Sequence, residues 1–305
     1  MEPLITRLRL NGAGENAYST QPDLWSRPLA RALILFLIAA SVAAQTPLGN
    51  LIDVGGYRVH LYCTGTGTPT VMIVGGFSFD WALVQPEVAR FTRVCTYDPS
   101  GNAWSDPGPE PTCLGRVDEI HRLLSNAKID GPYVLAGFST GALFARLYAR
   151  SWSKDVAAMV LIDHAFIPAP VAPQSVLSGP DSPPALISAT PIEIGVEDEP
   201  GFDKLPAGIR DLHRWAVSRN PARHDANMAE ACIAELGNST LGNLPLVVVS
   251  SANNAPGYAK LQTSLLALSH NSSQLIAGES FHSIEVSQPE VVIRAIRVAV
   301  QESRK

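Results

Sequence analysis

Charge is scarce in this chain of 305 residues: Asp, Glu, Lys and Arg together make up 17%, against 46% hydrophobic residues. A disordered or polyelectrolyte chain is excluded by that balance, because such chains have too little apolar surface to bury. Basic residues are the minority, with 23 Lys plus Arg facing 28 Asp plus Glu for a net charge of −5. A global electrostatic grip on nucleic acid is not expected, since no excess of cations exists to neutralise phosphates. Only four cysteines occur. Cys63, Cys95, Cys113 and Cys232 form neither a C-x-x-C pair nor a Cys/His ligand spacing, so no metal site is expected. The apolar run Ala32–Ala44 covers 13 residues, short of the ~20 that a comfortable membrane span needs.

That run fits the core of a signal peptide instead. Arg27 and Arg31 precede it, and the small residues Val42, Ala43 and Ala44 stand before Gln45 as at a signal-peptidase site. About thirty residues precede the run, more than a signal peptide usually carries, so an uncleaved anchor is the competing reading. Both predict an exported chain, secreted or periplasmic, or one held to a membrane through residues 32–44. Residues 1–47 are set apart from the fold on this ground. An oxidising compartment allows one or two disulfides among the four cysteines, in any of three pairings that spacing alone does not choose.

Beyond Gln45, short β-rich runs alternate with helical ones. Candidate strands are Leu51–Val54, Arg58–Cys63, Thr70–Val74, Arg93–Tyr97, Tyr133–Ala136, Ala158–Asp163, Leu246–Ser250 and Gln274–Ala277. Several are continuously apolar (VMIV, MVLI, LVVV), as strands covered on both faces must be. Helices are expected over Trp81–Phe91, Arg116–Ala127, Gly141–Arg150, Tyr258–Leu268 and Pro289–Val300. The alternation predicts an α/β protein with a doubly wound, mostly parallel sheet of eight strands. One connection breaks the rhythm. Between Asp163 and Leu246 lie about eighty residues, where a usual connection has ~4–6. Nine of the 24 prolines fall between Pro168 and Pro206, so its first half is read as extended, and its second half as two helices, Ala207–Arg219 and Asp225–Leu236. Residues 164–243 are therefore read as a cap inserted between core segments 48–163 and 244–305.

The chemistry is announced by Gly137-Phe138-Ser139-Thr140-Gly141, a G-x-S-x-G between a buried strand and a helix. A strained turn at that junction lifts the serine hydroxyl clear of the sheet. The helix behind it offers free backbone N–H groups where an oxyanion would form.

The chain from about residue 48 onward resembles the α/β-hydrolase family. Thr70–Pro107 is similar to the third strand, oxyanion loop, first helix and fourth strand of that family, Pro132–Ala149 to its nucleophile elbow, and Ser280–Val300 to its histidine loop and last helix. The resemblance implies Ser139 as nucleophile and His282 as the base that takes and returns its proton. It further implies an oxyanion hole made by the backbone N–H groups of Phe77 and Thr140. Gly75 stands where relatives often carry a histidine. His60, His121, His164, His213, His224 and His270 fall outside the histidine loop and are read as surface or packing residues. The acid departs from the common pattern. After the seventh strand come Ala252, Asn253, Asn254 and Ala255, with no carboxylate, and Glu279 is too close to His282 to orient it. Some relatives place the acid after the sixth strand, which here ends in Asp163, so Asp163 is the expected third member. A turn-capping role is its alternative. Asp98 is expected to organise the loop to Asp106. The family's sheet order sets strands 2 and 4 side by side, so Cys63 and Cys95 are neighbours there, bonded or free.

Together these readings predict a serine hydrolase acting on a small-molecule acyl substrate, an ester first, through an acyl-enzyme and with no cofactor. The competing readings are an aminopeptidase of the proline iminopeptidase type and a non-catalytic binding protein on the same fold. The former would need an acidic patch, and Glu193, Glu197, Asp198 and Glu199 are its candidates; the bland alternative is a solvated acidic loop.

Overall fold

The β-branched runs pair into one sheet of eight strands in a computed structural model, which describes residues 47–164, 196–219, 225–253 and 258–305. The strands are β1 (Asn50–Asp53), β2 (Arg58–Thr64), β3 (Thr70–Val74), β4 (Val94–Asp98), β5 (Tyr133–Phe138), β6 (Val156–Ile162), β7 (Leu246–Ser251) and β8 (Ser272–Ala277). Their order is β1-β2-β4-β3-β5-β6-β7-β8. Pairing is antiparallel at β1/β2 and β2/β4 and parallel from β4 through β8. Each parallel connection crosses over through helical segments, which therefore cover both faces.

Alternation along a strand divides the core. In β3, Met72 and Val74 join the cluster under the helices α2 (Cys113–Asn126) and α3 (Gly141–Ser151). Val71 and Ile73 face the opposite cluster, built on Trp81, Val84 and Val88. The helix expected over Trp81–Phe91 is broken into a 3₁₀ turn, Ser78–Leu83, and one turn of α-helix, α1 (Gln85–Val88). Pro86 is the reason: its ring would clash with the carbonyl one turn back, so the helix restarts with proline in its first turn. The register of β2 against β4 sets Cys63 opposite Cys95, and the two are bonded.

The segment read as a cap divides. Residues 165–195, with Glu193, lie outside the described residues, as do residues 1–46 and His224. The helix α4 (Ala207–Arg219) stands over the oxyanion loop. Its companion α5 (Asp225–Leu236) does not: Met228, Ala229, Cys232 and Leu236 are buried in the core cluster shared with α2 and α3. A second disulfide, Cys113–Cys232, ties α5 to α2. The second of the two helices read into the cap thus packs in the core through its apolar stripe. The expected helix Tyr258–Leu268 ends early, as α6 (Tyr258–Ser264) followed by a 3₁₀ turn, Leu265–Leu268. The chain closes with α7 (Ile284–Ser287) and α8 (Pro289–Glu302), the latter buried through Val292, Ala295, Ile296 and Ala299.

Among the described residues, no helix is long and apolar enough to cross a membrane, and no group of three metal-ligating side chains occurs.

Candidate active site

Strand ends bring the chemistry together. Ser139 follows β5 in the left-handed region, with φ +55°, and its N–H donates to Ile162 O at 3.0 Å. So sharp a turn leaves no room beside it. A Cβ on Gly137 would come within 2.6 Å of Ala142 Cα, and one on Gly141 within 2.1 Å of Val74 O. Both flanking residues of the G-x-S-x-G are therefore glycine for lack of space. Gly75 answers to the same crowding: a Cβ there would lie 2.4 Å from Phe138 O, which accounts for the missing histidine.

Asp163 follows β6, the strand next to β5, also left-handed at φ +41°, and its N–H donates to Val249 O at 2.8 Å. Two non-glycine residues in that region, at the ends of the neighbouring interior strands β5 and β6, mark stored backbone strain, the usual companion of a functional site. His282 comes from the loop after β8. Its Nδ1 lies 2.7 Å from Asp163 Oδ2, and its Nε2 lies 2.8 Å from Ser139 Oγ. Asp163 is fully buried and His282 nearly so, while the Phe138 ring packs 4.9 Å from the imidazole. Glu279 is exposed, and its N–H donates to Gln288.

The surroundings of Asp163 were not legible beforehand. Its Oδ1 accepts from Ser251 N at 3.0 Å and Ser251 Oγ at 2.8 Å. Ser251 is the last residue of β7, just before the positions where relatives carry the acid, and it supplies donors to Asp163. The Tyr258 hydroxyl also meets this carboxylate; burial first, and Asp163 second, push the phenol well above its ordinary value.

The two expected oxyanion donors differ in state. Thr140 N–H, at the start of α3, has no acceptor among the described residues. Phe77 N–H donates to Asp80 Oδ2 at 3.0 Å. Asp80 Oδ1 in turn lies 2.9 Å from Nδ1 of His213 on α4, so His213 is a buried polar link rather than a bystander.

Two further expectations are met only in part. Asp98 ties its loop through the main chain, its carbonyl accepting from Ser105 Oγ, whereas its carboxylate holds His60 Nδ1 at 2.8 Å and Ser78 N at 2.8 Å. A fully buried carboxylate takes donors from elements packed on it, and those are β2 and the Ser78 turn. The acidic segment is only partly solvated. Glu197 is exposed and paired with Arg214 at 2.9 Å, whereas Glu199 is buried, its Oε1 accepting Ser283 N–H at 2.7 Å. Burial raises Glu199 above its ordinary value, and the N–H groups of Ser283, His282 and Phe281 oppose that rise. This residue thus grips the histidine loop.

A family model described as the alpha/beta hydrolase family matches residues 64–295. The chain belongs to that family. It is 25% identical to an uncharacterized protein, YqjL, of Bacillus subtilis over 76% of this chain and 83% of that one. An uncharacterized protein of Schizosaccharomyces pombe is 29% identical over 35% of the chain, which spans only 26% of that relative's length. Among solved structures, a thermophilic esterase from Thermogutta terrifontis superposes with a TM-score of 0.61 at 22% identity, covering 86% of this chain and 100% of the esterase. At that identity the likeness is one of fold.

Proposed function

We propose that the chain is a serine hydrolase that cleaves a small-molecule ester through an acyl-enzyme on Ser139. The observation that carries this reading is the imidazole of His282, placed between Ser139 Oγ and Asp163. With Nδ1–H donating to Asp163, Nε2 is left as the acceptor for the serine proton. As Oγ attacks the acyl carbon, that proton passes to Nε2 and the buried carboxylate stabilises the imidazolium. The imidazolium then protonates the departing alkoxide, and a water molecule, deprotonated by the same nitrogen, releases the acid. Thr140 N–H faces the developing oxyanion, with Phe77 N–H as its partner once free. Nothing in these steps calls for a cofactor or a metal.

Of the four acids on which the aminopeptidase reading rests, Glu197 pairs with Arg214 and Glu199 with the histidine loop, Asp198 is exposed, and Glu193 lies outside the described residues. A non-catalytic binding role rested on the empty position after β7, where Asp163 from β6 offers a carboxylate at hydrogen-bond distance from His282. We also propose export, with cleavage near Gln45 or anchoring through residues 32–44. The pairing of all four cysteines in two disulfides fits an oxidising compartment. Purified protein is assayed against short- and long-chain aryl esters. The reading expects turnover that Ser139→Ala abolishes; no turnover across the panel, or turnover unchanged in Ser139→Ala, contradicts it.

A further inference from the structure

The Phe77 N–H assigned to the oxyanion is already bound to an anion. Asp80 Oδ2 accepts it at 3.0 Å, while Thr140 N–H stands open among the described residues. Asp80 and His213 are each only 3% exposed. The His213 ring stands edge-on to Phe77 at 5.9 Å and to Phe202 at 5.8 Å. Its helix α4 also meets the loop after β4, Trp215 lying against Trp104 with ring centroids 4.6 Å apart. An oxyanion donor, a carboxylate and the overlying helix are therefore linked in series, although Asp80 and His213 are 133 residues apart.

A tetrahedral oxyanion and a carboxylate oxygen cannot share one N–H, because like charges at that distance repel in a dry site. Loss of a single oxyanion donor costs about 10²–10³ in turnover in a serine protease, so the occupied state is poorly competent. We propose that Asp80 is the resident anion of the oxyanion site, released from Phe77 when an acyl group enters and retained by His213 of α4. The inference rests on the reading of Ser139 as nucleophile. It adds that the oxyanion hole is assembled on substrate entry, with Asp80 keeping one of its two partners throughout.

The test is the affinity of an alkylboronic acid, which forms a tetrahedral adduct with the nucleophile and competes for the same N–H. Asp80→Ala leaves Phe77 N–H free and is expected to bind the boronate about tenfold or more tighter than wild type, the worth of one charge-assisted hydrogen bond. Asp80→Asn keeps size and an acceptor oxygen without the charge, and should fall between them. Equal or weaker binding by both variants overturns the proposal and makes Asp80 a support of the turn. A measurement on wild type needs no variant to fold: in the crystal structure of its boronate adduct, Asp80 should have left Phe77 N and kept His213. An adduct on Ser139 with Asp80 still on Phe77 overturns the resident anion alone. A wild type that forms no adduct and takes no fluorophosphonate at Ser139 overturns the nucleophile reading, and the resident anion with it.

Discussion

Replacing Asp163 by Asn is the sharpest perturbation of the proposed relay, because the structure dictates how the new amide must sit. Ser251 offers two donors, N–H and Oγ–H, to Oδ1, so the oxygen of the introduced amide takes that side and its NH₂ turns toward His282. An NH₂ can only donate. His282 Nδ1 must then accept, which places the ring proton on Nε2, facing Ser139. The base nitrogen is blocked and the imidazolium loses its counter-charge, with almost no change of volume. The same substitution in a serine protease, by the same tautomer argument, cost about 10⁴, and we expect a loss of roughly 10²–10⁴ in kcat/KM on an aryl ester. Circular dichroism and a thermal melt establish that the variant is folded, and Glu279→Gln serves as control with most activity retained. A folded Asp163→Asn enzyme with wild-type kcat/KM would refute the reasoning, and the carboxylate would then be a strand-end cap for Ser251.

Glu285 gives a stability prediction. Burial first, then the nearby carboxylates of Asp80, Glu199 and Asp163, push it well above its ordinary value of 4.5, and its Oε2 has no partner among the described residues. Between 4.5 and the raised folded value the native state holds the extra proton, so stability falls as pH rises through that window and levels off above it. Glu285→Gln should therefore stabilise by on the order of 1–3 kcal/mol at pH 8 and gain less below pH about 4.5; a gain in melting temperature that does not depend on pH would contradict this. For export, the chain purified from its native host should begin near Gln45 or be full length and membrane-associated, with all four cysteines protected from alkylation without reductant. A full-length, soluble cytosolic chain with reactive thiols would contradict it.

The middle of the sheet was legible because β3, β5, β6 and β7 are buried on both faces and read as nearly unbroken apolar runs; all eight strands stand within a few residues of where they were expected. Ser139 was legible because crowding between β5, α3 and β3 forces a glycine on either side of it. His282 followed from its place between the last strand and the last helix. Elsewhere the reading of the sequence fell short for physical reasons. Pro86 broke a helix whose apolar spacing looked continuous. The apolar stripe of α5 signalled a helix without telling which surface would cover it, and the answer was the core. Asp80 and His213 meet only through the tertiary fold, across 133 residues, and no local pattern announces such a pair. Glu199 sat in an acidic run that composition marks as solvated, yet the histidine loop offered it N–H groups and drew it inside.

The central claim is that Ser139 is the nucleophile activated by His282. Wild-type protein treated with a fluorophosphonate and digested should carry one adduct, on the peptide containing Gly137–Gly141, with labelling abolished in Ser139→Ala and greatly slowed in His282→Ala. Absence of that adduct in active wild-type protein, or equal labelling of Ser139→Ala, would contradict the account.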